Sequence, residues 1–175
     1  ISDAQAIAGQ MRSFFTEVRS VARLAHRNVI ALHAVGVHES ELFIVMDYCS
    51  MGNLSALLLG SGTKKRRQLS RQLQRKIATD IVGGMASVHA KHVLHRDLKP
   101  DNIVLVPLAP GPGGAQRYQA KICDFGISKH VKDTQCNVHH TRAVGTPVYM
   151  APEVMLGARR QALYSLKSDV YSYGI

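Results

Sequence analysis

His95-Arg96-Asp97-Leu98-Lys99-Pro100-Asp101-Asn102 is the stretch on which the reading of this chain turns. Ionisable and amide side chains crowd there between apolar, strand-sized runs. Two further clusters follow it, Asp124-Phe125-Gly126 and Gly145-Thr146-Pro147-Val148-Tyr149-Met150-Ala151-Pro152-Glu153. Asp97, Asn102 and Asp124 can present oxygens to a hard divalent cation such as Mg2+, and Lys99 can neutralise an anion beside them. That set suits phosphate chemistry. Taken singly, each residue also has a plain structural reading, because an Asp before a Gly marks turns and an Asn near a strand start often caps.

The rest of the chain is consistent with a packed domain around those clusters. At 175 residues, with 46% hydrophobic and 19% charged side chains, the chain suits one domain of ordinary size and argues against a disordered or collagen-like one. Apolar runs such as 103–109 fall far short of the roughly 20 residues of a bilayer-spanning helix, and no charged-then-apolar leader opens the chain. Twenty-two Lys and Arg against twelve Asp and Glu give a net charge of +10, which favours acidic partners without choosing among them. The densest basic run, Lys64-Lys65-Arg66-Arg67, has no aromatic side chain on which bases stack, so it reads as a solvated face and not as a nucleic-acid site. Cys49, Cys123 and Cys136 show neither disulfide-framework nor zinc spacing, and a reducing, cytoplasmic setting is expected. His139-His140 lacks further ligands at metal spacing and reads as a surface pair.

Periodicity orders the elements. Phe14, Val18, Val21, Ala22 and Leu24 recur at helical spacing; 29–37 and 42–46 read as a hairpin across His38-Glu39-Ser40. A helical turn over 54–59 lies in a glycine-bearing connector. Leu69, Leu73, Ile77, Ile81 and Met85 repeat every four residues behind a capping Ser70, which predicts a long helix to about His89. Strand-sized runs follow at 103–106 and 120–123, with an exposed Pro/Gly-rich turn over 107–114 between them. This order is α+β.

Taken in order, the three clusters resemble the eukaryotic protein kinase family: HRDLKPDN is similar to its catalytic loop, DFG to its metal-binding loop and APE to the end of its activation segment. Asp169-Val170-Tyr171-Ser172-Tyr173-Gly174 resembles the segment D-V-W-S-x-G that follows. The resemblance implies a truncated form of the bilobal kinase fold: 1–175 would be a partial catalytic domain running from the family's αC helix, with Glu17 as the partner of a strand-three lysine, to its αF helix. Neither the family's Gly-rich loop nor that lysine appears in 1–11. The same resemblance implies that Met46, Asp47, Tyr48 and Cys49 form the gatekeeper and hinge against adenine, with Val104 under the ring. It implies ATP and Mg2+ as cofactors, Asn102 and Asp124 as metal ligands, Asp97 as the base that orients the acceptor hydroxyl, and Lys99 as the contact to the γ-phosphate. Val21, Leu32, His95 and Phe125 would form a hydrophobic spine.

Lys99 two residues after Asp97, together with Thr146, resembles the serine/threonine type, and YMAPE leans towards the tyrosine-kinase-like and MAP-kinase-kinase-kinase-like branches. The implied partner is a protein substrate with a Ser or Thr acceptor. A pseudokinase or kinase-like binding module is the alternative expectation, and the isolated chain is expected to be nearly inactive. Arg96 and Lys129 would form a cationic pocket for a phosphate on the activation segment, with Thr141 the expected site, Thr134 the reserve, and Ser128 too near the metal loop.

Overall fold

The computed structural model describes residues 18, 22–38, 41–59, 69–125, 129–130, 138–140, 145–157 and 162–175. Its strands are β1 (Leu32–His38), β2 (Glu41–Met46), β3 (Val93–Leu94), β4 (Ile103–Leu108), β5 (Arg117–Ile122), β6 (Lys129–His130), β7 (Val138–His140) and β8 (Ala162–Tyr164). Its helices are α1 (Leu54–Leu59), α2 (Arg71–Ala90), α3 (Pro152–Gly157) and α4 (Leu166–Gly174). The amphipathic helix expected around Phe14 lies almost wholly outside the described residues.

Ser70 caps α2 as its sequence predicts, its hydroxyl accepting the Leu73 N–H at 3.2 Å. The four-residue apolar stripe then faces inward, burying Ile77, Ile81, Met85 and Val88. Antiparallel pairs form the small sheets: β1 with β2, β3 with β6, β4 with β5 and β7 with β8. The hairpin expected over 29–46 begins three residues later than predicted, at Leu32, because Val29 instead makes a parallel bridge to Ile122. The β4–β5 ladder runs further than its apolar run suggests, to Leu108↔Arg117, and takes in the Pro107↔Tyr118 pair. Its sequence context predicts Pro107 in an exposed turn. It fits here because β4 has no second full strand neighbour among the described residues, so the missing N–H breaks no second ladder.

The outer edge of β5 is completed by segments that are not strands. Ile122 accepts from the Ile30 N–H at 2.8 Å and donates to the Asn28 carbonyl at 2.9 Å. The peptide of Ala120 is held on both sides: the Asn28 amide donates to its carbonyl at 2.8 Å, and the Asp80 carboxylate accepts its N–H at 3.1 Å. Asp80 is buried within α2, and Lys76, one turn earlier, bonds both its oxygens at 2.5 and 2.6 Å. A buried carboxylate without such donors would cost several kcal/mol. β5 is therefore fixed to α2 and to the 28–30 segment by polar bonds as well as by the core, and it delivers Cys123 and Asp124 to the site.

Adjacent glycines of α2 make this packing testable. A Cβ on Gly84 would lie 2.6 Å from the Asn28 carbonyl oxygen and 2.7 Å from Ile122 Cδ1, whereas one on Gly83 would meet nothing closer than 3.6 Å. Gly84→Ala is expected to destabilise by about 1–3 kcal/mol through overpacking, and Gly83→Ala to stabilise by up to about 1 kcal/mol through helix propensity. Urea unfolding of the two variants checks this; equal effects would show that the helix does not approach the 28–30 segment as closely as described.

Candidate active site

The site is organised from α4. Its Ser165–Ser168 capping box starts the helix and places Asp169 in its first turn, where the side chain is 2% exposed. The two carboxylate oxygens face the backbone of 95–96: Oδ2 accepts the His95 N–H at 3.0 Å and Oδ1 the Arg96 N–H at 2.9 Å. The ring of His89, at the end of α2, donates to Oδ2 at 2.9 Å. Arg96 has φ +69°, a conformation that a non-glycine residue adopts at a cost of about 1–3 kcal/mol, and its hydrogen bond to Asp169 helps hold it there.

His95 is fully buried and bonds in both directions. Its Nδ1 accepts the Asp97 N–H at 3.3 Å, so Nε2 carries the proton and donates to the Cys123 carbonyl at 3.0 Å. Burial lowers the pKa of this imidazole, against the pull of Asp169, and keeps it neutral. Its ring stands 5.0 Å from that of Phe125, which is buried, while Leu32 packs at the margin of the same core. Of the expected spine, His95 and Phe125 are thus buried and Leu32 is partly buried at the core margin; Val21 lies outside the described residues.

Asp97 is the most heavily bonded side chain of the cluster. Oδ1 accepts both the backbone N–H and the hydroxyl of Thr146 at 2.8 Å; Oδ2 accepts Lys99 Nζ at 2.6 Å and the Asn102 amide at 3.3 Å. Lys99 also donates to the Thr146 hydroxyl at 2.6 Å. Burial pushes the Asp97 carboxyl up, but the bonds from Lys99 and Thr146 outweigh it and hold the pKa below its ordinary value. An ionised carboxylate, a cation and a hydroxyl therefore converge on one point. Close approach of the activation segment is part of this geometry: a Cβ on Gly145, at φ +128°, would lie 2.7 Å from the Arg96 carbonyl oxygen.

Asn102 ends the 3-10 turn Pro100–Asn102 and is buried. Its Nδ2 is spent on the Asp97 carbonyl at 2.8 Å, which leaves Oδ1 for a cation. Its carbonyl accepts the Cys123 N–H at 2.9 Å, tying the loop to the strand end that carries Asp124. Asp124 is exposed, with φ +60°. An amide oxygen and a solvent-facing carboxylate suit Mg2+ with its retained waters, so the donor set fits the implied metal. A mainly apolar cavity of about 450 Å3 lies behind the loop, between α1, α2 and α4; Leu58, Ile77, Leu98 and Tyr173 line it, with Lys99 also in its wall.

The hinge residues occupy the chain after β2. Met46 and Tyr48 are exposed, Cys49 packs on the core margin with Val104 of β4, and Cys123 adjoins them. Burial raises the Cys49 thiol and pushes that of Cys123 up to about 11, so neither is a ready thiolate. Asp47, expected here for its backbone, also has a structural side chain: Lys121 of β5 reaches it at 2.6 Å and His33 of β1 at 2.8 Å. Lys129 lies in β6, paired with Leu94, and the Arg96 guanidinium sits 5.4 Å from the centre of the Tyr164 ring. Glu17, Thr134, Thr141 and Ser128 lie outside the described residues.

Residues 1–175 match the protein kinase domain. The chain belongs to the protein kinase family. The chain is 33% identical to human serine/threonine-protein kinase ULK1 over 90% of its own length, and 34% identical to serine/threonine-protein kinase CTR1 of Arabidopsis thaliana over 96%. It is 31% identical to human dual specificity testis-specific protein kinase 2 over 97% of its length. It spans 14%, 19% and 27% of those three proteins, less than a third of each. Sequence reasoning missed the role of Asp169, quoted only as part of a motif, and the grip of Asp47 on Lys121. Only its place in that motif marks the first; the second needs the fold, because its partners are 74 positions apart.

The Lys121 bond, above all, lowers the Asp47 carboxyl to about 2, with His33 and the Ala31 N–H contributing in the same direction. A carboxyl depressed in the folded state stabilises above its unfolded pKa of about 4, and that stability is lost as pH falls through about 2. Thermal midpoints between pH 2 and 5 should therefore fall more steeply in the wild type than in Lys121→Met. Parallel curves would show that Lys121 does not set this carboxyl.

Proposed function

We propose that this chain carries the phosphoryl-transfer centre of a serine/threonine protein kinase that uses ATP and Mg2+. The observation that supports it most is the convergence of Lys99 and Thr146 on the Asp97 carboxylate, with Asn102 in the same network. In this reading Asp97 accepts the hydrogen bond of the incoming Ser or Thr hydroxyl, aligns its oxygen and takes its proton as transfer proceeds. Lys99, already beside that carboxylate, turns a charged N–H towards the transferring phosphoryl oxygens. Asn102 Oδ1 and Asp124 would hold Mg2+, which when bound neutralises and orients the ATP phosphates. Met46 to Cys49 and Val104 would receive the adenine, with Glu17 serving the lysine partner of the family. Thr146, fixed against both Asp97 and Lys99, would shape the acceptor side for an aliphatic hydroxyl.

Arg96 and Lys129 would receive an activating phosphate on Thr141, with Thr134 the reserve. Residues 1–175 would supply the αC-to-αF part of the catalytic domain, since Phe43 and Val45 on β2 and Val170 and Tyr173 on α4 leave apolar surface that a complete domain would cover. A cytoplasmic setting fits the raised, unpaired thiols of Cys49 and Cys123.

The division of roles is tested in the full-length protein. Asp97→Asn should lower phosphate transfer by about two to four powers of ten with little change in nucleotide affinity, whereas Asp124→Ala should weaken Mg2+-dependent nucleotide binding as well. Equal binding defects in the two variants, or full turnover in Asp97→Asn, would contradict the assignment.

A further inference from the structure

Tyr164 is 2% exposed, yet no catalytic task falls to it. It ends β8 and packs with Leu94, Ala151 and Val154 in a cluster apart from the main core. The centre of its ring lies 5.4 Å from Arg96 Cζ, within the range of a cation–π contact. Five residues later on the same short segment, Asp169 holds the Arg96 N–H. The opposite side of the segment is paired to the activation segment, with Val138↔Tyr164, His139↔Leu163 and His140↔Ala162. β7 therefore ends one residue before Thr141, with Val138 opposite Tyr164 and His140 opposite Ala162, two residues along the strand that carries the ring.

We propose that Tyr164 is a positioning residue for Arg96, its buried ring fixing the guanidinium so that the in-plane N–H groups meet a phosphate on the activation segment. A guanidinium against an aromatic face keeps its donors at the ring's edge, where a doubly charged anion can take two of them at once. Preordering removes rotamer freedom that phosphate binding would otherwise have to remove. β7–β8 pairing supplies the second half of the coupling, since it brings the residues just before Thr141 to the strand that holds the ring. Segment 162–169 thus grips the backbone of Arg96 through Asp169, its charge through Tyr164, and the activation segment through β8. The proposal rests on the phosphate-coupled reading of Arg96 given above and adds the residue on which that coupling depends.

The test uses the full-length protein with phenylalanine at position 164 carrying zero, one, two or three ring fluorines, introduced by nonsense suppression. These rings differ little in shape, but each fluorine withdraws charge from the face that Arg96 meets. For each variant, kcat is measured in the phosphorylated form and after phosphatase treatment, beside the melting temperature. Tyr164→Phe, the ring without fluorine, sets the reference, and from it the activation ratio should fall stepwise by about fivefold or more across the series, at constant melting temperature. Tyr164→Leu should lose the response as fully as the trifluoro ring. An unchanged ratio across the series, or a fall that tracks melting temperature instead of fluorine number, would overturn the proposal. Wild type that shows no activation by phosphate would remove the switch itself, and the role of Tyr164 with it.

Discussion

The bond between the Asp169 carboxylate and two successive backbone N–H groups, of His95 and Arg96, is the constraint from which the rest of the site follows. A carboxylate at 2% exposure is costly unless its oxygens are satisfied, and here the His89 ring adds a third donor. The geometry is directional in a way that apolar packing is not. With both N–H groups pointed at α4, Arg96 adopts its positive φ and the His95 ring turns towards the Cys123 carbonyl. Asp97 emerges from that turn towards Lys99, Asn102 and Thr146. A change of one hydrogen bond in the anchor would thus reach every group that chemistry needs.

The anchor has value only because the strand opposite it is equally fixed. β5 is tied by Asn28, Asp80 and the close approach at Gly84, and it is followed directly by Cys123, whose N–H and carbonyl meet Asn102 and His95 respectively. The 95–102 loop and the 123–125 segment are therefore registered on each other by two hydrogen bonds, one through backbone alone and one through a neutral histidine. Burial accounts for that neutrality: a charged imidazole there would be desolvated and would lose its acceptor for the Asp97 N–H. Separate elements, two helices and a hairpin, set one carboxylate in place.

Much of this was legible in the sequence because it is local. The Ser70 cap, the i, i+4 stripe of α2 and the strand runs are written in adjacent residues, as are the three clusters whose order resembles a kinase. Asp97, Lys99 and Asn102 stand out by type and Thr146 by the resemblance to a serine/threonine kinase, and the structure brings the four together. What escaped the reading is what depends on distant pairing. Pro107 reads as a turn until β5 is found beside it, Asp47 reads as hinge backbone until Lys121 arrives from β5, and Tyr164 has no local pattern to mark it. Asp169 was visible as a motif residue, but its two acceptor bonds join positions more than 70 residues apart.

Hydrogen exchange in Asp169→Asn tests the anchor most directly, because the substitution preserves shape and removes one acceptor oxygen. The account predicts that, in the full-length protein, amides of 95–97 exchange about 10–100-fold faster than in the wild type, as loss of a hydrogen bond to a buried charge implies. Exchange in 103–108 and 117–122 should be unchanged, since the β4–β5 ladder does not pass through α4. Unaltered exchange at 95–97, or an equal acceleration across both regions, would contradict the claim that Asp169 positions the turn that carries Asp97.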